Sequence, residues 1–517
     1  MSTTTTRRAA RDLAYRPGVA TWVTRHAERF GDKPALVLDD RVLTYADLER
    51  RTWQVAHLLR ERGVGRGDRV ALLHDNHAEF LPAMLAVLRL GAVYVPLNTR
   101  LSESETVALV RDSRPVLLVT QDTWSARAAA LLAHSGEPFD VLATDGDGWP
   151  DTDAPAEPFA VPHFDEDTTA GLFYTSGTTG LPKGAMITHR NIASVATSLA
   201  VDLGFHRGDR PLVSLPISVS GAMLAGVLPF LHLGCSIRLL TLGTPEAIAE
   251  AIRAYRPSYM ASVPTVFKAL LDHPAFDGLD LTCFQRVLSA AAPMPVALIE
   301  RFRERGLDVF VQGYGLTESC GFSSCLMPED AVRKVGSIGR PMTYSDVRVL
   351  VDDREAGPGE IGEICVSGPS VMAGYWERPD ERAVVDGWLR TGDLGHVDDE
   401  GYLYVTGRLK DMVITGGYNV YPAEVENVLY QLPGVAEAAV VGVPDEHWGE
   451  RVVAVLRPHA DAHDLDAESV RAHCAAHLGD YKRPKEVVLV SEPLPVNPTG
   501  KIVKARIREA YAAGSLR

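Results

Sequence analysis

A loop rich in glycine and hydroxyl side chains follows an apolar run near residue 175 and constrains the fold more than any other segment. Residues 175–184 are Thr-Ser-Gly-Thr-Thr-Gly-Leu-Pro-Lys-Gly, directly after the apolar residues 170–174. Glycines let backbone N–H groups approach an anion closely, hydroxyls add donors, and a lysine adds positive charge. We therefore predict a polyphosphate-binding loop after a buried strand, formed by Thr175, Ser176, Gly177, Thr178, Thr179, Gly180 and Lys183. The alternative is a flexible Ser/Thr/Gly linker.

This loop differs from the Walker-type phosphate loop. A Walker loop has Gly-Lys followed directly by Ser or Thr, whose hydroxyl binds Mg²⁺. Here Lys183 is preceded by Pro182 and followed by Gly184. The kinase and motor ATPase classes are therefore disfavoured.

The length and the net charge of the chain limit the number of domains and the kinds of binding partner that we expect. A chain of 517 residues predicts two or more domains. The formal net charge of -15 disfavours nonspecific binding to nucleic acid or to an anionic membrane. Arg7 and Arg8 are not followed by an apolar stretch, which disfavours a secretion signal. The six cysteines are scattered, and no second pair is present to complete a zinc site. We expect a cytoplasmic protein with reduced thiols and no membrane-spanning segment.

The first 240 residues alternate between strand-like and helix-like patterns. Residues 69–73 and 115–119 have the composition of buried strands, whereas residues 45–62 and 79–90 carry apolar residues at helical spacing. Such alternation predicts an α/β fold with parallel sheets covered by helices. The polar segment 144–166 is predicted to be a long surface connection.

The pattern changes twice in the second half of the chain. Residues 335–405 contain short strands separated by Gly, Pro and Asp turns, which predicts a β-rich subdomain. After Gly407 we predict an α+β module of about one hundred residues. Its helices are 421–430, 467–478 and one from Lys504, and its strands are 435–443, 451–456 and 486–490.

The segment Gln312–Glu318, which follows an apolar run, contains candidate ligand-binding residues. The sequence Gln-Gly-Tyr-Gly-Leu-Thr-Glu comes after the apolar residues 307–311, which predicts a strand ending in a polar turn. Ligands bind at the carboxyl edge of open α/β sheets. Glu318 is a candidate Mg²⁺ ligand, with phosphate oxygens and waters completing the shell. Turn packing is the alternative interpretation for a tyrosine between glycines.

Three further polar turns lie downstream. Asp393, in Thr391-Gly392-Asp393, is suited to accept both hydroxyls of a ribose, although solvation is the usual role of a surface aspartate. The paired glycines Gly416 and Gly417 permit close backbone approach to a narrow ligand. Lys501 follows Asn-Pro-Thr-Gly, a tight turn that presents its side chain.

Together these segments resemble the adenylate-forming superfamily of acyl-CoA synthetases, adenylation domains of peptide synthetases and beetle luciferases. They occur in the order found in that superfamily, from Thr175 to Lys501. The resemblance implies a large N-terminal domain (1–409) of two α/β subdomains plus a β-barrel-like one. It also implies a small, mobile α+β C-terminal domain (410–517), hinged at Lys410. A carboxylate would attack the α-phosphate of Mg-ATP to give an acyl-adenylate and pyrophosphate, and coenzyme A would then displace AMP.

The resemblance also implies roles for individual residues. The loop with Lys183 would bind the β- and γ-phosphates, Thr317 the α-phosphate, and Glu318 the metal. Tyr314, next to Gly315, would lie against adenine, and residues 289–293 with Ala291 and Ala292 would line the adenine and the acyl group. The ribose would be held by Asp393 and Arg408. Lys501 would bridge the attacking carboxylate and the phosphate. A swing about Lys410 would then bring Gly416 and Gly417 to line a pantetheine tunnel.

The predicted acyl pocket departs from the usual pattern of the family. Acyl-CoA synthetases usually have a Pro-Leu-Phe-His-like stretch as a gate, whereas this chain has Leu-Pro-Ile-Ser-Val-Ser-Gly-Ala at 215–222. The usual Gly-Gly-Ala-Pro is Ala-Ala-Ala-Pro at 290–293. We infer a pocket for a bulky or branched apolar acid, lined by Ile217, Ser218, Val219, Gly221, Ala290, Gly313 and Leu316.

Several alternatives stay open at this stage. One alternative is that the acyl acceptor is an acyl carrier protein instead of free coenzyme A. Another is that the chain forms the acyl-adenylate efficiently but transfers the acyl group poorly to coenzyme A. An amino acid substrate is disfavoured because residues 215–224 contain no aspartate to pair with an ammonium group. A nucleotide-binding scaffold without chemistry is disfavoured because Lys183, Glu318 and Lys501 are all present. A homodimer is compatible with the resemblance.

Overall fold

Strands and helices alternate through most of the chain in the computed structural model. The structure describes residues 18–161, 163–175, 182–290, 292, 294–459, 462, 465–496 and 502–516. The helices are α1 Ala20–Phe30, α2 Tyr45–Glu61, α3 Phe80–Arg89, α4 Glu103–Ser113, α5 Ser125–Ser135, α6 His189–Leu203, α7 Leu228–Leu233, α8 Pro245–Tyr255, α9 Pro264–Leu271, α10 Val296–Glu304, α11 Pro422–Leu429, α12 Ala467–His477 and α13 Lys504–Ala512.

The strands are short, and several are separated by Gly-containing turns. They are β1 Pro34–Leu38, β2 Arg41–Thr44, β3 Arg69–Leu73, β4 Val93–Leu97, β5 Leu117–Thr120, β6 Asp140–Ala143, β7 Thr169–Thr175, β8 Lys183–Thr188, β9 Pro211–Val213, β10 Ile237–Leu239, β11 Tyr259–Ser262, β12 Arg286–Ser289, β13 Phe310–Tyr314, β14 Ser324–Leu326, β15 Ser337–Pro341, β16 Asp346–Val351, β17 Arg354–Glu355, β18 Gly362–Ser367, β19 Val384–Val385, β20 Trp388–Val397, β21 Leu403–Arg408, β22 Val413–Thr415, β23 Tyr418–Val420, β24 Val435–Asp445, β25 Gly449–Pro458 and β26 Glu486–Leu489.

The chain forms two compact units. The first comprises residues up to Val347 together with Cys365–Arg390, and the second comprises Arg348–Ile364 together with Thr391–Arg517. The predicted boundary between residues 409 and 410 stays a prediction.

The first unit contains two sheets made mainly of parallel strands. One sheet has the order β6-β5-β3-β4-β7-β8, in which β8 alone is antiparallel to its neighbour. In the other, β1 and β9–β13 are parallel, while β2, β14 and β15 join antiparallel. Helices cover both sheets because the strands are apolar on both faces, as in β3 with Val70, Ala71 and Leu72 fully buried.

Local capping signals fix several helix starts in this unit. Thr44 with Asp47, Ser102 with Glu105, and Thr188 with Asn191 form capping boxes at α2, α4 and α6. Each box satisfies N–H groups that the first turn of a helix leaves without intrahelical partners. The predicted helices 45–62 and 79–90 are confirmed to within two residues as α2, which has such a box, and α3, whose N-cap residue Glu79 makes no side-chain capping hydrogen bond.

One predicted surface connection is partly internal. In segment 144–166, Trp149, Val161 and Phe164 are at most 9 % exposed. The Trp149 indole donates to Glu79 at 3.2 Å, and Phe164 stacks on His189 with 5.0 Å between ring centroids. The prediction that this segment lies on the surface was therefore wrong for its aromatic residues, because polar neighbours in the sequence masked their burial.

The second unit contains the predicted α+β module. Its sheet has the order β23-β22-β25-β24, with β26 parallel to β25. Two apolar clusters bury the faces of β24 and β25, one containing Val440 and Val452 and the other Val441 and Val453. The predicted helices and strands of this module are confirmed, with boundaries shifted by at most two residues.

None of the six cysteines, all of which lie among the described residues, forms a disulfide. Within the described ranges, no helix combines the length and the apolar composition needed to cross a bilayer. The predicted cytoplasmic location stays a prediction.

Candidate active site

The two ends of the predicted phosphate loop lie side by side on neighbouring strands. Thr175 ends β7, Lys183 begins β8, and the two are direct cross-strand partners in an antiparallel pair. Side chains of such partners point to the same face of the sheet. The hairpin therefore places the Thr175 hydroxyl and the Lys183 ammonium together, as the sequence predicted for a loop that binds an anion. Residues 176–181, which carry Ser176, Gly177, Thr178, Thr179 and Gly180, lie outside the described residues.

Gly184 leaves room for the ring of Tyr174 on the opposite face of this hairpin. A Cβ at Gly184 would lie 3.2 Å from Cζ of Tyr174. The Tyr174 hydroxyl donates to Oδ2 of Asp112 at 2.7 Å. Burial raises the pKa of Tyr174, with the Asp112 carboxylate adding to the effect. The phenol therefore stays a proton donor and anchors the hairpin from behind.

A distant segment extends the sheet beyond β8. Met186 N donates to Gly374 O at 2.9 Å, and Trp376 N donates to Gly184 O at 2.8 Å. This places Tyr375 opposite Ala185 in an antiparallel bridge. Asn191 fixes the approach of the segment, because its side-chain amide donates to the carbonyls of Pro369 and Val371 at 2.8 Å each. Residues 369–376 are therefore part of the wall around the hairpin.

The Glu318 carboxylate lies at the meeting point of these segments. Its Oε1 accepts hydrogen bonds from Thr175 Oγ1 at 2.9 Å and from Tyr375 Oη at 2.8 Å. Glu318 is 9 % exposed, and its backbone carbonyl accepts from Met372 N at 2.9 Å. Burial and the Glu318 carboxylate raise the pKa of Tyr375, which keeps this phenol a donor. A buried carboxylate surrounded by hydroxyl oxygens fits Mg²⁺, which binds through one or two carboxylates with phosphate oxygens and waters.

A tight turn presents Thr317 and Glu318. A Cβ at Gly315 would lie 2.2 Å from the carbonyl oxygen of Gly321, so only glycine fits there. Cys320 ends the 3₁₀ turn Thr317–Ser319 with a φ of 56°. The Thr317 hydroxyl lies 2.9 Å from the Ser220 hydroxyl. The turn thus joins the predicted phosphate and metal residues to the gate segment.

The gate segment is held by an asparagine that is 141 residues away in the sequence. Asn76 Oδ1 accepts from Ile217 N at 2.8 Å, and its amide donates to the carbonyls of Leu215 and Leu240 at 3.0 and 2.8 Å. Ile217 is buried, and a Cβ at Gly221 would meet nothing within 4 Å. A π-helical turn, Ala222–Val227, follows; such turns are frequent at functional sites. Gly221 is exposed, so the space beside it is open to solvent, and the width of the acyl pocket stays a prediction.

The other predicted pocket residues lie at strand ends of the same sheet. Gly313 is buried in β13, where a Cβ would lie 2.4 Å from the Phe322 ring. Ala290 follows β12 and is half-buried, as are Tyr314, Leu316 and Val219. The strand predicted over 307–311 begins only at Phe310 and continues through Tyr314. Ala292 is exposed, and Ala291 lies outside the described residues.

In the second unit, Asp393 and Arg408 are partners on neighbouring strands. They face each other across β20 and β21, and Arg408 Nε lies 2.7 Å from Asp393 Oδ1. Asp393 is 4 % exposed. Thr391 shapes the turn before it, because its hydroxyl donates to Ile364 O at 2.6 Å and accepts from Asp393 N at 3.0 Å. The family resemblance implied that these two residues hold a ribose, and the structure brings them together; the ribose role itself stays a prediction.

The paired glycines of the second unit turn a two-residue hairpin beside aromatic rings. Gly416 and Gly417 join β22 to β23 with φ of 56° and 81°, conformations that favour glycine. A Cβ at Gly416 would lie 3.0 Å from the Trp448 ring. The rings of Tyr418 and Tyr481 are tilted by 33° with 5.0 Å between their centroids, and Nζ of Lys485 lies 5.4 Å from the centroid of the Trp448 ring. The hairpin thus lies within an aromatic patch bordered by positive charge.

Of the two lysines predicted to take part in the domain swing, Lys410 lies among the described residues and Lys501 does not. Lys410 lies in the 3₁₀ turn Leu409–Asp411 that precedes β22. Burial lowers the pKa of Lys410, and Asp411 partly offsets this effect. Lys501 lies outside the described residues. Their roles stay predictions.

Comparison with known proteins assigns the family. The model of the AMP-binding enzyme family matches residues 23–376, and that of the AMP-binding enzyme C-terminal domain matches residues 424–501. The chain belongs to the AMP-binding enzymes. It is 39 % identical to the feruloyl-CoA synthase of Amycolatopsis sp, with 96 % of this chain and 99 % of that protein aligned. It is 38 % identical to the long-chain-fatty-acid–CoA ligase FadD13 of Mycobacterium tuberculosis, over 91 % and 93 %.

A solved structure extends the likeness to the whole AMP-binding enzyme. The O-succinylbenzoate coenzyme A synthetase of Bacillus subtilis, in complex with ATP and magnesium, superposes with a TM-score of 0.86 at 32 % identity. The match covers 94 % of this chain and 99 % of that one. The predicted superfamily, the mixed α/β fold with a large N-terminal and a small C-terminal domain, and the enzyme class, an AMP-forming acid–thiol ligase, are confirmed. ATP, Mg²⁺ and coenzyme A, the predicted cofactors, are those of this family.

Several site residues of this AMP-binding enzyme escaped the sequence analysis. Asn76, Tyr375 and Glu381 contact predicted site residues from positions far along the chain. Trp448 and Tyr481 surround the glycine hairpin. One signal could have revealed Tyr375, because the aromatic pair Tyr375-Trp376 directly precedes the polar segment 377–382, but nothing local points to Glu381 or Asn76.

Proposed function

We propose that this enzyme activates a carboxylic acid with Mg-ATP and transfers the acyl group to coenzyme A. One observation carries the proposal: Thr175, Lys183, Glu318 and Tyr375 converge from three separate segments on one face of the β7–β8 hairpin. Positive charge, hydroxyl donors and a buried carboxylate together suit a magnesium polyphosphate.

In the first half-reaction a carboxylate oxygen attacks the α-phosphorus of ATP. The bond between the α-phosphorus and the bridging oxygen breaks, and pyrophosphate leaves with that oxygen. Lys183 neutralises the β- and γ-phosphates, and Thr317 donates to the α-phosphate. Bound through Glu318, Mg²⁺ would neutralise phosphate charge. Phosphoryl transfer depends mainly on such positioning and charge neutralisation.

In the second half-reaction the sulfur of coenzyme A attacks the carbonyl carbon of the acyl-adenylate. The bond from that carbon to the AMP oxygen breaks, AMP leaves, and a thioester remains. The aromatic patch around Trp448, with Lys482 over the Tyr481 ring at 5.6 Å, supports an acceptor that carries an adenine and phosphates. An acyl carrier protein is the alternative acceptor.

The substrate we propose is a bulky or branched apolar acid. Gly221 borders open space, and the gate segment 215–222 has neither an aromatic ring nor a histidine. Ser218 adds a buried hydroxyl, 6 % exposed, whose oxygen has no hydrogen-bond partner among the described residues. The pocket therefore accommodates volume and offers no cation to a second carboxylate.

The experiment is acid-dependent exchange of labelled pyrophosphate into ATP. A panel runs from acetate through linear dicarboxylates to branched and cyclic acids, and we expect the bulky apolar acids to give the highest kcat/KM. Equal turnover of acetate and a large cyclic acid would refute the proposed pocket, and no exchange with any acid would refute the activity. Incubation with either coenzyme A or a phosphopantetheinylated carrier, followed by mass detection of the thioester, separates the two acceptors.

A further inference from the structure

Lys183, the cation proposed to bind the β- and γ-phosphates, forms an ion pair with Glu381. Its Nζ contacts Oε2 of that carboxylate, and the two side chains are 11 % and 35 % exposed. The Lys183 ammonium also lies 5.4 Å from the centroid of the Tyr375 ring. The positive charge at the phosphate site is therefore already neutralised by a carboxylate of the same chain.

The turn that carries Glu381 is firmly held. Arg378 Nη2 donates to Asp112 Oδ1 at 2.7 Å, and its Nη1 donates to Trp376 O at 3.0 Å. Glu381 N donates to Arg378 O at 3.1 Å, and Ala383 N donates to Glu381 O at 2.9 Å. Asp112 is the same carboxylate that anchors Tyr174 behind the hairpin. The position of Glu381 beside Lys183 is thus built into the wall of the site.

Glu381 has a second cation within reach. Its Oε1 lies 3.9 Å from Nε of Arg378, on the side away from the Lys183 contact at Oε2. A carboxylate that loses one cationic partner in a partly buried site is costly unless another partner replaces it. Arg378 can take up that charge after a small rotation of the Glu381 side chain.

We propose that Glu381 is a competing counter-ion for Lys183, which a polyphosphate displaces on binding and which recaptures the lysine when pyrophosphate leaves. The proposal rests on the phosphate-binding role of Lys183 proposed above. A phosphate carries more negative charge than a carboxylate and attracts the ammonium more strongly. The exchange lowers the affinity for ATP and for pyrophosphate alike, so it speeds release of pyrophosphate at the expense of tight ATP binding. Glu381 is thus a positioning residue that tunes polyphosphate affinity.

Glu381→Gln tests this exchange, because it keeps the shape of the side chain and removes the charge. We expect the Kd values of Mg-ATP and Mg-pyrophosphate to fall about tenfold, equivalent to about 1.4 kcal/mol, while the Kd of AMP stays unchanged. Inhibition of the exchange reaction by pyrophosphate should strengthen to a similar degree. Titration calorimetry on the full chain gives all three Kd values. The matched control is Glu377→Gln, which removes a nearby half-exposed carboxylate that pairs with Arg114.

Lys183→Met provides the decisive background. In that background Glu381→Gln should leave the affinity for ATP unchanged, because the lysine for which the Glu381 carboxylate and the polyphosphate compete is absent. Weaker ATP binding in Glu381→Gln, an equal effect on AMP, or a full effect in the Lys183→Met background would each overturn the proposal while leaving the proposed function intact. If the unsubstituted protein bound no ATP, the proposed function would fail, and this proposal with it.

Discussion

Replacing Asp393 with asparagine should weaken ATP use far more than it weakens the fold. The Asp393 side chain is 6 % exposed, so a ribose that donates both hydroxyls to it would form hydrogen bonds in a largely dry environment. Hydrogen bonds to charged groups contribute about 1.5–3 kcal/mol each. Asparagine keeps the shape and one acceptor oxygen but loses the charge. We expect a loss of about 3 kcal/mol, or roughly a 100-fold fall in kcat/KM for ATP.

The accompanying loss of stability should be small. Arg408, the partner of Asp393, is 42 % exposed, so its guanidinium stays hydrated when Asp393 loses its charge. Partly exposed ion pairs contribute at most about 1 kcal/mol. The melting temperature of Asp393→Asn should therefore stay within a few degrees of that of the parent protein. Asp386→Asn, an exposed turn residue just before β20, is the matched control and should change neither quantity.

The ribose role is tested with 2′-deoxyATP. Steady-state exchange rates are measured for ATP and 2′-deoxyATP with both proteins. The parent should disfavour 2′-deoxyATP by about tenfold, the value of one lost hydrogen bond of about 1.4 kcal/mol, and Asp393→Asn should lose most of this discrimination. If the parent used both nucleotides equally well, or if Asp393→Asn retained the full discrimination, the assignment of Asp393 to the ribose would be refuted.

Three further predictions address the remaining parts of the molecule. Lys501→Ala should reduce adenylation steeply and leave thioester formation from preformed acyl-adenylate largely intact; equal losses in both half-reactions would contradict two alternating sites. Gly315→Ala should lower the free energy of unfolding by about 1–3 kcal/mol, because its Cβ would lie 2.2 Å from the carbonyl oxygen of Gly321; an unchanged melting temperature would contradict this geometry. Burial lowers the pKa of His74 to about 4 from 6.5. The unfolded state therefore binds the extra proton first as pH falls, so stability is full above pH 6.5 and decreases towards pH 4. The expected loss is about 3 kcal/mol. His74→Gln should flatten this part of a melting-temperature profile against pH, and an unchanged slope would show that His74 does not titrate there.

The sequence predicted the parts of the site that local chemistry determines. Thr175 and Lys183 flank one loop, and the apolar run before it predicted the strand that ends at Thr175; the second strand of the hairpin, which begins at Lys183, was not predicted. Asp393 and Arg408 lie on neighbouring strands of one hairpin, which brings their side chains together. In each case the sequence separation is short, although the turn predicted around Asp393 was wrong, because Asp393 lies inside strand β20.

The rest of the site depends on contacts that no local pattern encodes. Lys183 and Glu381 are separated by 198 residues, and Ile217 and Asn76 by 141. Tyr375 reaches Glu318 only because residues 373–376 pair with β8. Such a pairing depends on the tertiary position of a segment that is distant in sequence from the sheet that it joins. A single chain shows no pattern that distinguishes Glu381 from any solvated glutamate.

Glu318, the proposed metal ligand, and Lys183, the proposed phosphate-binding residue, differ in the partners that they already have at the hairpin. Thr175 and Tyr375 both donate to Oε1 of Glu318, while Oε2 accepts no hydrogen bond from the described residues. A metal ion can therefore bind Oε2 without displacing either hydroxyl, and the two donors hold the carboxylate in place for it. Lys183, in contrast, is paired with Glu381, so a polyphosphate has to displace a carboxylate to reach it. If both proposed roles hold, the site would bind the complete magnesium–polyphosphate complex more favourably than a bare phosphate, because only the complex would gain from the Glu318 carboxylate while it breaks the Lys183–Glu381 ion pair.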